Sequence, residues 1–134
     1  MLDASITLAW CFEDQATSLS NAALDRLVDD QALVPELWPF EVANVLALAV
    51  RRGRISHDQA RRFIQLLDRL PITVEELGRE HVLGAVLTLA QTTGLTAYDA
   101  SYLSLAAATG VQLASADDRL RRAAELAGVE LFLP

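Results

Sequence analysis

The sequence predicts an α/β domain, with a parallel sheet held between two layers of helices, and three observations carry that prediction. Short apolar and β-branched runs alternate with longer stretches of helical periodicity, the pattern of parallel strands covered on both faces. At 134 residues and 52% hydrophobic, the chain suffices for one sizeable core and is short for two. No repeat, linker or low-complexity tract interrupts it, so residues 1–134 read as a single domain.

The elements follow in order. Met1–Asp3 ends a first strand, and a short helical segment lies near Ile6–Phe12. Ser18–Asp30 sets Ala22, Leu24, Leu27 and Val28 at helical spacing, and the short apolar run Ala32–Val34 follows. Pro35 stands where a first helical turn begins, a position that needs no N–H donor. It opens a long helix to about Arg52, closed by Gly53. Ser56 and Gln59 form a capping box for a helix to about Leu70, which Pro71 breaks. Ile72-Thr73-Val74 is a β-branched strand, and Arg79–Thr92 a helix stopping at Gly94. Thr96 caps a helix through Ala108, ended by Gly110. Val111–Ala114 reads as a buried strand, Asp117–Ala127 as a helix closed by Gly128, and Val129–Leu133 as a last strand.

Composition excludes several chemistries. Cys11 is the only cysteine, so no intrachain disulfide, zinc knuckle or iron–sulfur cluster is available, and a reducing cytoplasm is the natural compartment. All 11 basic residues are Arg, which removes Schiff-base and P-loop lysine chemistry. Met1-Leu2-Asp3 shows no basic n-region leading into an apolar core, and the apolar windows Val42–Val50 and Tyr102–Ala116 are too short or too polar to span a bilayer. Mean hydropathy is +0.26, which argues against a disordered chain. Net charge is −7 and the isoelectric point about 4.7, at first sight a poor match to nucleic acid.

In parallel α/β folds ligands sit beyond the carboxyl ends of the strands, so acids there receive most weight. Asp3 follows the first strand, where an Asx turn or helix cap is its ordinary use. Glu41 shares a helical stripe with Leu37, Val45 and Leu48, with Asn44 one turn on. A carboxylate on such a stripe is paired with an Arg, favoured by its helix's first turns, or bound to metal. Asp99, three residues after Thr96, nearly completes a capping box. Asp117 and Asp118 follow the strand Val111–Ala114, and one of them suffices to cap the last helix. Singly these acids are ordinary. Together, as like charges at strand ends and helix starts, they require cations to stay ionised, and Mg²⁺ or Mn²⁺ is the hard, oxygen-seeking choice.

Four blocks come in order: Leu2-Asp3-Ala4-Ser5, Pro35-Glu36-Leu37-Trp38 through Glu41-Val42-Ala43-Asn44-Val45-Leu46, Leu95-Thr96-Ala97-Tyr98-Asp99-Ala100, and Leu113-Ala114-Ser115-Ala116-Asp117-Asp118-Arg119-Leu120. With them the sequence resembles the PIN-domain ribonucleases, and within these the VapC-type toxins of bacterial toxin–antitoxin pairs, over nearly the whole chain. The resemblance implies a three-layer α/β/α fold with a parallel sheet of about five strands and an acidic pocket for one or two Mg²⁺ or Mn²⁺. It carries over Asp3, Glu41 and Asp99 as core metal-site acids and Asp117 as the fourth. Ser5 and Asn44 match supporting positions, and Ser115 matches the hydroxyl residue two before the last acid, which sets Asp118 aside. It further implies an RNA substrate, a homodimer, and a small cognate antitoxin that directs a basic side chain at the pocket. Only Met1 and Leu2 precede Asp3, against a longer first strand in the family, so a less rigid hold on Asp3 is expected.

Other residues have quieter expectations. Arg51, Arg52, Arg54, Arg61 and Arg62 form a solvated face partnered by Asp58 and Asp68, with RNA backbone contact as the functional alternative. Arg119, Arg121 and Arg122 beside the site raise the same question. Trp10, Phe12, Trp38 and Phe40 flank the core as packing or antitoxin-groove residues, with stacking on bases as the functional alternative, and Cys11 is a small buried hydrophobe. His57 and His81 show no partner pattern.

The leading function is a metal-dependent endoribonuclease, and the alternative a catalytically silent binding module of the same fold. A receiver-like or phosphatase-like domain would call for a lysine after the last strand, which this chain lacks. The charge also divides. Setting the four pocket acids aside leaves 14 acids against 11 arginines, so much of the acidity belongs to a cation-free site rather than to a surface that repels RNA.

Overall fold

The computed structural model describes residues Met1 to Pro134. In order, the elements are α1 (Ala4–Ala9), a 3₁₀ turn (Glu13–Gln15), α2 (Ser18–Arg26), β1 (Ala32–Pro35), α3 (Trp38–Arg51), α4 (His57–Leu67) and β2 (Ile72–Glu75). Then α5 (Arg79–His81) runs through a π-helical turn (Val82–Val86) into α6 (Leu87–Thr93), followed by α7 (Ala97–Thr109) and α8 (Asp118–Leu126). None of the helices is long and apolar enough to cross a membrane.

Only β1 and β2 form a regular ladder, parallel and in register from Ala32 with Ile72 to Pro35 with Glu75. Three shorter extended segments lie alongside it. The Leu2 N–H donates to the Leu33 carbonyl at 3.0 Å, the Asp3 N–H to Ala114 at 3.0 Å, and the Ala114 N–H to Met1 at 2.8 Å. The Leu113 N–H then reaches Glu130, and the Phe132 N–H reaches Leu113, both at 2.9 Å. Single parallel bridges, Leu2 with Ala114 and Leu113 with Leu131, mark these contacts. The spatial order is thus β2, β1, 1–3, 112–114, 130–132. Regular strands number two because each of the other segments has room for only a rung or two; α1, for example, begins immediately after Asp3. Short as it is, the first segment is bonded on both sides, with Met1, Leu2 and Asp3 buried.

Pro35 closes β1 rather than opening α3, against the sequence expectation. Pro39 takes the first-turn position instead. Both places tolerate a missing N–H, one at a strand end and the other among the unbonded donors of a helix start. Starting the helix at Trp38 puts Trp38, Val42, Leu46 and Ala49 on the buried stripe. The Glu41 stripe (Leu37, Val45, Leu48) is the half-buried one beside it.

The capping box at Ser56 and Gln59 forms as expected, with bonds of 2.8 and 3.0 Å. A second one, Thr17 with Ser20, opens α2. The helices pack in two groups, α1 with α2 and α3, α3 with α4, and α7 with α6 and α8. Seven consecutive residues of α7, Ala100 to Ala106, are buried, as befits a helix covered on all sides. Because α7 leads through Gly110, in the left-handed conformation, into segment 112–114, its start lies at the sheet edge where 1–3 and β1 end. That edge collects the starts of α1, α3, α7 and α8.

One buried polar contact pins α1 to α3: the Trp38 indole N–H donates to Thr7 Oγ1 at 3.1 Å, with Thr7 wholly buried. Replacing Thr7 by Val keeps the volume and orphans the indole N–H. A loss of about 1–3 kcal/mol in urea unfolding is expected, and an unchanged midpoint would contradict it.

Candidate active site

The four acids singled out in the sequence each sit at the start of a helix. Asp3 is the N-cap of α1, Glu41 and Asp99 lie in the first turns of α3 and α7, and Asp117 is the N-cap of α8. Helix starts carry partial positive charge, which favours carboxylates there.

Asp3 is the most enclosed, 6% exposed. Its Oδ2 accepts hydrogen bonds from Ser5 Oγ at 2.6 Å and from Ser115 Oγ at 2.7 Å. Burial pushes its pKa up, and the two hydroxyls oppose that rise. Each serine also accepts a backbone donor, Ser5 from Ala116 at 3.1 Å and Ser115 from Asp117 at 3.0 Å. The same hydroxyls that hold Asp3 therefore hold the loop that presents Asp117.

Glu41 is half-buried, and its Oε1 accepts the Tyr102 hydroxyl at 2.6 Å. Burial is the main cause raising Glu41, opposed by Tyr102 and reinforced by the charges of Asp3 and Asp99. Tyr102 itself is wholly buried, and desolvation followed by the Glu41 carboxylate drives its pKa far above the ordinary phenol range. Asp99 is raised first by burial and then by Asp3 and Asp117, with Thr96 and Arg119 opposing. Thr96 Oγ1 accepts the Asp99 N–H at 3.1 Å, but α7 lacks the reciprocal bond of a capping box. The Thr96 side chain also holds the Asp99 carboxylate down against burial. Asp117 caps its own helix, since its Oδ1 accepts the Leu120 N–H at 2.9 Å. Asp118 is exposed in the first turn of α8 and bonds to none of the site groups.

The charges of Asp3 and Asp99 raise Glu41, and those of Asp3 and Asp117 raise Asp99, so the four acids lie in one neighbourhood. They do not form a closed cage; no three acidic, His or Cys side chains stand close enough to enclose an ion unaided. The donor set nevertheless suits a hard cation, being all carboxylate oxygen, mutually repelling and free of competing Arg ion pairs. Mg²⁺ in particular takes one or two carboxylates and keeps water for the rest. Asn44 lies exposed one turn beyond Glu41 and makes no hydrogen bond to the acids.

One neighbour of the acids, Tyr102, escaped sequence reasoning. Tyr102 is one turn beyond Asp99, and its only sequence signal was a polar-tipped aromatic on a helix of small residues. The Arg119 guanidinium donates to the Gly94 carbonyl at 2.9 Å, bracing the approach to α7, and Arg121 reaches the Ser115 carbonyl at 3.4 Å. Phe40 and Tyr98, immediately before Glu41 and Asp99, are 78% and 67% exposed. Phe40 is therefore not a packing residue; starting α3 at Trp38 turns it away from the buried stripe, while Trp38 and Phe12 are buried as expected. His81 does have a partner, Ser104 Oγ at 2.7 Å, brought within reach where α5 passes into the π turn. Of the basic face, Arg61 pairs with Asp58 as expected, but Arg54 pairs with Asp14 at 2.8 Å and stacks on Phe12 at 4.2 Å. Asp68 takes no ion pair. Cys11 is half-buried, and burial raises its thiol above the ordinary value.

The raised acids make stability depend on pH. In the folded, cation-free chain Asp3, Glu41 and Asp99 hold protons at pH values where the unfolded chain has lost them. Their contribution to stability is then fully present below the ordinary carboxylate range, about pH 4, and is lost as pH rises through the raised values. Asp3→Asn or Glu41→Gln should accordingly raise the neutral-pH melting temperature of chelator-treated protein. A lowered one would show that these carboxylates are net stabilising.

Comparison with known proteins bears on what this edge does. The family model for the PIN domain matches residues 1–126. Ribonuclease VapC9 of Mycobacterium tuberculosis and VapC ribonuclease Mb0985 of Mycobacterium bovis are each 36% identical over 121 residues, 90% of this chain and 87% of theirs. Ribonuclease VapC3 of Pyrobaculum aerophilum is 28% identical over 120 residues, 90% of each chain. With the match covering nearly the full length and the acids gathered at helix starts, this chain belongs to the PIN-domain family, whose fold is a three-layer α/β/α sandwich, and within it to the VapC-type ribonucleases.

Proposed function

We propose that this protein is a metal-dependent endoribonuclease, the toxin of a toxin–antitoxin pair, acting in the cytoplasm on RNA. The observation that carries this reading is the gathering of Asp3, Glu41, Asp99 and Asp117 at four helix starts, with Ser5 and Ser115 locking the deepest of them. Asn44, exposed beside Glu41, is the remaining supporting position. The five parallel segments, taken as one continuous sheet, set the edge at which these groups meet.

Asp3, Glu41, Asp99 and Asp117 would hold Mg²⁺ or Mn²⁺. When bound, the cation supplies neutralising charge for the phosphodiester and lowers the pKa of a water for in-line attack. Asp3 offers Oδ1, because Oδ2 is taken by the serines. Asp99 stands at the mouth with its amide tied to Thr96 and Arg119 nearby, so a cationic group borders the position a phosphate must approach. Phe40 and Tyr98 present open ring faces beside the two acids, suited to stacking the splayed bases of single-stranded RNA. The relatives' names speak of ribonucleases, and this reading expects a second copy of the chain and a cognate antitoxin as protein partners. An antitoxin arginine or lysine would find at this edge the carboxylates that cations otherwise neutralise.

Asp99→Asn should abolish Mn²⁺-dependent cleavage of a mixed-sequence RNA while the circular dichroism spectrum stays that of the parent. Cleavage that persists in this variant, or in excess chelator, would overturn the assignment; parent protein that binds antitoxin but never cleaves would be the silent module. Phe40→Ala and Tyr98→Ala should each raise KM for single-stranded RNA about fivefold or more with kcat little changed, since one stacked base contributes about 1–3 kcal/mol. Equal losses in kcat would place the rings in the chemistry instead.

A further inference from the structure

The hydrogen bonds around the acids share a pattern. In Asp3, Oδ2 carries both serine hydroxyls. In Asp117, Oδ1 carries the Leu120 N–H. In Glu41, Oε1 carries the Tyr102 hydroxyl at 2.6 Å, across from α7 to α3. Three carboxylates thus each have at least one oxygen engaged by a protein donor. Of the three donor sets, the Tyr102 hydroxyl is the one that joins two helices each bearing a site acid. It stands three residues beyond Asp99 and reaches a residue 61 positions away in sequence.

Building on the metal-site reading above, we propose that Tyr102 is a positioning residue that makes Glu41 a one-oxygen ligand and thereby tunes the pocket to a small octahedral cation over Ca²⁺. The physical basis is the difference in what the two cations demand. Ca²⁺ takes 6–8 oxygens at about 2.3–2.6 Å and readily uses a carboxylate through both oxygens. Mg²⁺ takes six at about 2.0–2.1 Å, in near-ideal octahedral geometry, and keeps several waters. A glutamate has enough side-chain freedom to offer either oxygen or both. A short bond from a wholly buried phenol removes that freedom, because the ring is packed and its hydroxyl has one place to be. The same bond ties the first turn of α3, which carries Glu41, to α7, which carries Asp99.

The test is Mn²⁺ binding to the full chain, followed by electron paramagnetic resonance, with Mg²⁺ and Ca²⁺ as competitors. Outer-shell partners of metal ligands typically account for 10–100-fold in affinity, so Tyr102→Phe should weaken Mn²⁺ binding by about 10-fold or more. The Ca²⁺-to-Mn²⁺ affinity ratio should rise several-fold, which a purely packing role for the ring would not produce. In a Glu41→Gln background the same substitution should leave both quantities unmoved, since the carboxylate it positions is gone. Parental affinity and ratio in Tyr102→Phe would overturn the proposal, as would an equal effect in the Glu41→Gln background. So would failure of Tyr102→Phe to fold, because Phe fills the same space. A parent chain that binds no Mn²⁺ would remove the metal reading itself, an outcome distinct from parent binding that Tyr102→Phe leaves unaltered.

Discussion

Like charges gathered at one edge of a sheet are the constraint around which the rest of this molecule is arranged. Three carboxylates that lie in one half-enclosed neighbourhood would push apart the elements that carry them. The fold opposes this in two ways. Each acid sits at the positive end of a helix, and hydroxyl or amide donors engage individual oxygens. The compensation is incomplete, since burial and neighbouring charge still raise Asp3, Glu41 and Asp99. What remains is an unspent preference for positive charge, and that preference is the site's chemical property.

The donors that restrain the acids also organise the backbone. Ser5 and Ser115 each bond a carboxylate on one side and a main-chain N–H on the other, so α1, the 115–117 loop and α8 are fixed by one small network. Arg119 and Arg121 extend it to the Gly94 and Ser115 carbonyls. These arginines, adjacent to the site in sequence, therefore brace loops as well as lending charge. Arg54 is divided between Asp14 and the Phe12 ring, although it stays exposed like the other arginines of that basic face.

Local chemistry was legible from residue types, and long-range chemistry was not. The Ser56–Gln59 box and the Thr96 cap could be read because caps are set by neighbours three residues apart. Pro35 misled because a strand end and a helix start both tolerate a missing donor, and only the competing Pro39 decided between them. The π turn at Val82–Val86 left no mark on the apolar periodicity, and Ser20 was overlooked because capping boxes more often use Glu or Gln. The acids could be picked out as polar residues at strand ends and helix starts, with the family resemblance naming their role. Tyr102 could not, since no spacing rule connects a hydroxyl to a carboxylate four helices earlier. The exposure of Phe40 likewise followed from a helix start shifted by three residues.

The pairing of the first and last parts of the chain has a consequence for the order of assembly. Asp3 is locked by Ser115, and segment 1–3 is bonded to 112–114, so both halves of the centre lie more than a hundred residues apart. Contacts of such high sequence separation form late, after the loop-closure entropy of nearly the whole chain has been met. On the ribosome, Asp3 waits unpaired until Ser115 and Asp117 have left the exit tunnel. A nascent chain therefore carries Asp3, Glu41 and Asp99 before the residue that locks Asp3, and the loop that presents Asp117, have been made.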